Sequence, residues 1–227
     1  MGEERKNLME KAYRQIKNMI FSQKLASGQK LIFRDLSQRL NMSKTPIMYA
    51  LGRLEQEEII RLEPNQGHFV KEIDLNEIED LFVVREALEA LAINFAIKKQ
   101  TKEEIKKLEE QIRQHAKYKI PVYDRKKLLL DFNLHLQIAS MSKNNVLFKQ
   151  IRQIFERLFL RCRVERMDPA RLAVSSLEHK QILTMMRKKD SSGAEKAIRN
   201  HVEAAKQSMI LSISREDSLD TSSLFES

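Results

Sequence analysis

Four side chains in this sequence have the types and spacing for metal chemistry: Asp131, His135, His179 and His201. Asp131 and His135 stand four apart in Asp131-Phe132-Asn133-Leu134-His135, so on a helix both project from one face. His179 and His201 each fall in a later segment with helical apolar spacing. On the inward faces of a bundle, three neutral imidazoles and a carboxylate suit a borderline divalent ion such as Zn, Ni, Fe or Co. Four protein ligands leave positions open on an octahedral ion, and a carboxylate-bearing small molecule can fill them. Two other readings stand beside this one. The same set can activate water in a metal-dependent hydrolase, although no separate general base, nucleophile or oxyanion motif accompanies it. Spacing alone also fits histidines that pack in a core or face solvent.

A second chemistry is carried by Asn41-Met42-Ser43-Lys44-Thr45-Pro46-Ile47-Met48-Tyr49-Ala50-Leu51-Gly52-Arg53-Leu54. It reads as a turn, a cap and a helix. Ser43 or Thr45 can hold the first free N–H groups, and Pro46 suits a first turn that does not need its missing N–H. Ile47, Ala50, Leu51 and Leu54 form a core-facing stripe, and Lys44, Thr45, Met48, Tyr49 and Arg53 fall opposite. A helix start bearing a cation and hydroxyls suits the DNA major groove. Phe33 to Leu40 reads as a preceding short helix, which completes a helix-turn-helix. Ile59-Ile60-Arg61-Leu62 and His68-Phe69-Val70-Lys71 read as two strands around Glu63-Pro64-Asn65-Gln66-Gly67, the wing of a winged helix.

The rest of the chain must position these groups. Its 227 residues fit one large or two modest domains. A first helix is expected over Glu4 to Gln23, burying Leu8, Ala12, Ile16, Met19 and Ile20. From Asn76 no strand pattern appears, and six helices are expected. They run from Asn76 to Lys99 (burying Ile78, Leu81, Phe82, Val84, Leu88, Leu91 and Phe95), Thr101 to Tyr118, Val122 to Ser140, Asn144 or Asn145 to about Arg166, Ala170 to Arg187, and Ala194 to about Ile213. Thr101 with Glu104 makes a capping box, Pro121 breaks the chain, and Asp190-Ser191-Ser192-Gly193 divides the last two helices. The expected fold class is therefore mainly α: an N-terminal winged helix-turn-helix (1–72), a linker (73–75), an all-α six-helix bundle (76–213) and a disordered tail (214–227).

Charge supports a nucleic-acid partner. The net charge is +9, and residues 1–54 carry 11 Lys and Arg against 4 Asp and Glu, a basic excess suited to phosphate. No apolar run is long enough to span a membrane, and the single Cys162 fits a reducing cytoplasm. His115, among Lys, Gln and Arg, is expected to be solvated; His68 is either a backbone contact to DNA or a plain strand residue.

Residues Ile20 to Val70 resemble the GntR transcription regulators. The anchors are Gly28, Leu31, Arg34, Leu36, Leu40, Ser43-Lys44-Thr45-Pro46, Ala50-Leu51, Arg53-Leu54, Gly67 and Val70. The pattern departs where the family has an acidic residue (here Phe33) and arginines (here Lys44, Met48 and Gln66). Lysine meets phosphate as a point charge and reads guanine less selectively, so the operator preference is expected to depart from the family's usual one. The resemblance and the helix geometry together assign DNA contact to Arg34, Ser43, Lys44, Thr45, Met48, Gly67 and His68. The second half is similar to the FCD effector domain of the FadR-like branch, in its shorter, VanR-like six-helix form. Its marks are Asp80-Leu81-Phe82-Val83-Val84-Arg85 with Leu88-Glu89, then Asp131 to His135, Ser142-Lys143-Asn144, Glu178-His179 with Ile182, and His201. Asn133 or Leu134 stands where the family often has phenylalanine. This resemblance implies that Asp131, His135, His179 and His201 bind a metal, Zn or Ni foremost, that helps hold an organic acid. It implies effector contacts from Arg85 and Asn144, although Arg85 can also pair with Glu89 four residues on. Arg161, Arg163 and Arg166 read as a solvated basic group, with Arg161 also in reach of the cavity. The expected protein is a cytoplasmic homodimer that grips a palindromic operator and answers to a small carboxylate.

Overall fold

The computed structural model describes residues 2–72, 74–118, 124–162 and 164–214. The chain divides into two compact units, residues 1–73 with 159–161, and residues 74–158 with 162–227.

The first unit orders α1 (Gly2–Phe21), β1 (Lys30–Leu31), α2 (Phe33–Leu40), α3 (Lys44–Gln56), β2 (Ile60–Glu63) and β3 (Gly67–Val70). Ala12, Ile16 and Ile20 of α1 meet Ile47, Ala50, Leu51 and Leu54 of α3 in one apolar core, closed by Leu36, Ile60 and Val70. Leu8 is exposed instead of buried, because it lies a turn before that core begins. Asn41 ends α2 in the left-handed conformation, with φ 50°, and its short polar side chain tolerates that backbone. The wing holds one strand more than the two expected: β1 pairs with β3, and β3 with β2, in the antiparallel order β1-β3-β2. Two residues carry too little alternation to announce a strand. Gly28 precedes it at φ +76°, where a Cβ would also stand 2.6 Å from Glu72 Oε1.

The second unit holds α4 (Leu75–Lys99), α5 (Lys102–Lys117), α6 (Arg125–Met141), α7 (Asn145–Arg161), a 3-10 turn (Val164–Arg166), α8 (Pro169–Lys188) and α9 (Ser191–Ser214). Caps fix most starts. Asp74, Asp124, Asn144 and Asp168 each accept from a backbone N–H of the helix they precede, and Thr101 forms the full capping box with Glu104. Three boundaries differ from the sequence reading. Helix α7 ends at Arg161, so Arg166 belongs to the 3-10 turn. Helix α9 starts at Ser191, with Asp190 accepting from the Gly193 N–H, so Gly193 lies inside its first turn. Helix α6 starts at Arg125; Pro121 and Val122 lie outside the described residues, as do Ile73, Arg163, the Arg161 side chain and residues 215–227.

Helix α4 packs on α6 and α9, α5 on α6 and α8, and α8 on α9. The α4 core face is set by Ile78, Phe82, Arg85, Glu89, Ile93 and Ala96, while Val84 and Leu91 are exposed. A hydropathy count places the apolar residues inside; here a charged pair takes two core positions and the face rotates to follow it. No described helix is long and apolar enough to cross a membrane.

Candidate functional site

Helix α6 supplies Asp131 and His135, α8 supplies His179, and α9 supplies His201. All four are buried, and one ligand atom from each lies within 4.8 Å of every other. His179 Nε2 is 3.4 Å from Asp131 Oδ1, and His135 Nε2 is 3.9 Å from Asp131 Oδ2. Ligands about 2.0–2.1 Å from one ion stand roughly 3–3.5 Å apart, so the His179 separation already matches a shared ion and the His135 separation is a few tenths of an ångström wider.

Two carboxylates orient the rings. Glu89 accepts from His135 Nδ1, and Glu178 Oε2 lies 2.7 Å from His201 Nδ1. Burial would raise the Glu89 carboxyl, but His135 and Arg85 hold it down at about 2. Burial likewise opposes ionisation of Glu178, and His201 and Arg171 outweigh it. Both carboxylates are therefore acceptors, and each ring carries its proton on Nδ1. The two Nε2 atoms then face each other at 3.1 Å. With both rings neutral, their lone pairs oppose one another, and a cation between them relieves that repulsion. His179 adds two buried ring nitrogens with no hydrogen-bond partner among the described residues. Burial, foremost, and the nearness of the His201 imidazole hold His179 well below the usual imidazole range, which favours an unprotonated ring. Burial pushes the Asp131 carboxyl up, and His115 and the neighbouring imidazoles hold it well below the carboxylate range. The residues present fit a divalent metal.

A cavity of about 30 Å³ borders Asp131 and His201 and is lined further by Arg85, Arg171 and Ser175. Arg85 is buried, donates from Nε to Glu89 Oε1 at 2.6 Å, and leaves one terminal nitrogen without a partner among the described residues. Ion pair and cavity wall, the two readings of Arg85, are thus both present. Arg171 donates to Glu178 at 2.7 Å and has two further nitrogens without partners there. Asn144 caps α7 through its side-chain oxygen, at 3.1 Å from both the Val146 and Leu147 N–H groups, and does not line this cavity.

His115 corrects the sequence reading. It is fully buried, not solvated, 3.4 Å from Asp131 and edge-on to His179 at a ring distance of 4.9 Å. Leu108, Ile112 and His115 share the buried side of α5, a spacing that could have signalled it against its polar neighbours. Sequence reasoning also missed Arg171, Ser175 and Lys127, and named Glu178 only as a mark of the family, without a role at the site. Lys127 is buried, donates to the His115 carbonyl oxygen, and is pushed down by burial to about 8.

In the first unit, Ser43, Lys44, Thr45 and Met48 lie exposed at the start of α3, and Arg34 is exposed on α2. Ser43 stands at the N-cap without a side-chain hydrogen bond to the helix, so its hydroxyl is not spent on capping. Arg53 leaves the outward face: it donates to Glu10 at 2.7 Å and to Glu57 at 3.3 Å, and its guanidinium covers the Tyr13 ring at 3.7 Å. Gly67 opens β3 at φ +99°, and His68 is a half-buried strand residue 3.8 Å from Glu55.

Residues 80–204 match the FCD domain, and residues 8–70 match the bacterial regulatory proteins of the gntR family. The Nta operon transcriptional regulator of Aminobacter aminovorans is 30% identical over 141 residues, 62% of this chain and 66% of that one. The HTH-type transcriptional regulator McbR of Escherichia coli K12 is 26% identical over 175 residues, 74% of this chain and 77% of that one. The solved structure of E. coli McbR/YncC superposes with a TM-score of 0.74 at 21% identity, covering 92% of this chain and 98% of that one. The metal-free FCD domain of TM0439 superposes at 0.52 and 20% identity, covering 63% and 98%. At those identities the structural likeness bears on the fold.

Proposed function

The chain belongs to the GntR family of bacterial transcription regulators with an FCD domain, and from that premise we propose that a bound divalent metal and a small organic acid set its grip on an operator. Its families and relatives are transcription regulators, not enzymes, and the hydrolase alternative finds no support among them. One observation carries the proposal: Asp131, His135, His179 and His201 converge in a buried site where two carboxylate-anchored imidazoles turn their remaining nitrogens on each other.

In this reading those four residues hold the ion, with Zn or Ni best suited to three imidazoles and one carboxylate. Glu89 and Glu178 orient His135 and His201. The metal supplies an open Lewis-acid position beside the cavity. Arg85 and Arg171 line the same cavity with unpaired N–H groups, the chemistry that clamps a carboxylate. At about 30 Å³ the cavity has room for little more than water, so binding even a small acid requires its walls to move apart. Arg34, Ser43, Lys44, Thr45, Met48, Gly67 and His68 meet the operator, and Asn144 serves its helix cap more directly than the ligand. A homodimer matches a palindromic site, and work on bacterial DNA is consistent with a cytoplasmic location.

The acid acts only through a difference in its affinity for the two DNA-binding arrangements, and the operator must change acid affinity by the same factor. A gel shift with a palindrome from the protein's own promoter region tests this. The expected result is a salt-sensitive, sequence-selective shift whose midpoint moves severalfold with one acid, and only in metal-loaded protein. No selective shift at any such site would defeat the reading.

A further inference from the structure

His115 belongs to no part of the site proposed above, yet it lies fully buried against it. Its Nδ1 is 3.3 Å from Ser176 Oγ on α8, and its Nε2 is 3.4 Å from Asp131 Oδ1 on α6. Nε2 makes no hydrogen bond of good geometry among the described residues, and the polar group it faces at contact distance is the Asp131 carboxylate. An imidazole lone pair aimed at a buried carboxylate would be repulsive. The proton therefore sits on Nε2, and the Ser176 hydroxyl donates to Nδ1.

A ring nitrogen that holds its proton is not a metal ligand, and His115 is not among the residues whose ligand atoms cluster within 4.8 Å. It acts on a ligand instead. Ser175 Oγ donates to Asp131 Oδ1, at 3.3 Å. The Ser175 hydroxyl of α8 and the His115 ring of α5 thus meet one oxygen of a carboxylate carried by α6, the first as a donor and the second at contact distance. Lys127, one turn before Asp131, ties α6 to the His115 backbone oxygen and keeps the two residues in register. The carboxylate still faces the ligand rings, Oδ1 at 3.4 Å from His179 Nε2 and Oδ2 at 3.9 Å from His135 Nε2.

We infer that His115 is a positioning residue of the metal centre: it fixes the Asp131 carboxylate for the ion, and raises metal affinity without touching it. This rests on the reading of the site as a metal centre. Groups that orient a ligand typically change metal affinity 10–100-fold.

The test uses full-length protein with Zn²⁺, Ni²⁺ and Co²⁺ salts, in competition titrations against a chromogenic chelator. Wild type, His115→Phe, His115→Gln and Asp131→Asn are compared, each with the melting temperature of its metal-free form and its Co²⁺ absorption spectrum. His115→Phe fills the space but cannot donate, and is expected to bind metal 10–100-fold more weakly with an unchanged Co²⁺ band pattern. His115→Gln keeps a donor and is expected to recover most of that loss at an equal metal-free melting temperature. Wild-type affinity in His115→Phe overturns the inference. So does a His115→Gln as weak as His115→Phe when both are folded. A loss as deep as that of Asp131→Asn with an altered Co²⁺ spectrum makes His115 a ligand, which also overturns it. No metal bound by wild type removes the metal reading itself.

Discussion

At the scale of single residues, the site pairs each of two imidazoles with its own carboxylate, while neither ring nitrogen of His179 has a hydrogen-bond partner among the described residues. Loss of an orienting group should therefore weaken binding, and loss of a ligand should abolish it. His179→Ala is expected to bind no metal at micromolar concentrations by equilibrium dialysis, and Glu178→Gln to bind 10–100-fold more weakly than wild type. Arg85→Lys keeps the charge but loses the planar fork, so calorimetry of metal-loaded protein should show about tenfold weaker acid binding with metal affinity little changed. Lys127 gives a pH signature. Its ammonium is held at about 8 in the fold, below an ordinary value of 10.5. Between those two pH values the unfolded chain keeps a proton that the folded chain has released, so stability rises with pH across that window. The rise is of order 2–3 kcal/mol. Denaturant midpoints at pH 7 and pH 9.5 should separate in wild type and coincide in Lys127→Met; a mutant that keeps the separation would assign it to another group.

At the scale of elements, starts and stops are local chemistry, and the buried face is not. Thr101 and Glu104 close a reciprocal cap on α5, and Thr101→Ala should cost about 1 kcal/mol in urea unfolding. Gly28 sits at φ +76° before β1, so Gly28→Ala should cost about 1–2 kcal/mol, and Gly28→Asn less, because asparagine tolerates that backbone. Equal stability of the three proteins would count against strain there. The capping box, the Asp168-Pro169 start and the Ile47-Ala50-Leu51-Leu54 stripe were legible because each is set within one or two turns of chain. The α4 face was not, since Arg85 and Glu89 take core positions only when His135 and Phe155 from other helices meet them.

At the scale of the whole molecule, a basic DNA-binding unit and a metal-fitted helical unit share one chain. Chelator treatment should lower the melting temperature of the helical unit; a ligand present at a hundred times its Kd stabilises by about 2.7 kcal/mol. Metal-loaded and stripped protein with identical melting curves would argue against the site. Operator binding should fall linearly in log affinity against log salt, and Lys44→Ala should reduce that slope by about 0.9 if Lys44 meets a phosphate. Met48→Ala should leave the slope intact and change the preferred base instead.

The sequence by itself determined the helix-turn-helix with its wing, the six later helices, and Asp131 and His135 as a pair. Each follows from periodicity, capping or spacing within a short run of residues. Residue types and helical placement also offered His179 and His201 as partners, beside a core or solvent reading, and the resemblance favoured the ligand reading. Only the tertiary structure decided that His115 turns inward, that Glu89 and Glu178 hold the imidazoles, and that Arg53 faces α1 instead of solvent. These depend on which groups from distant helices arrive opposite one another. A buried charge or ring nitrogen is stable only where such partners arrive, and no local pattern encodes their arrival.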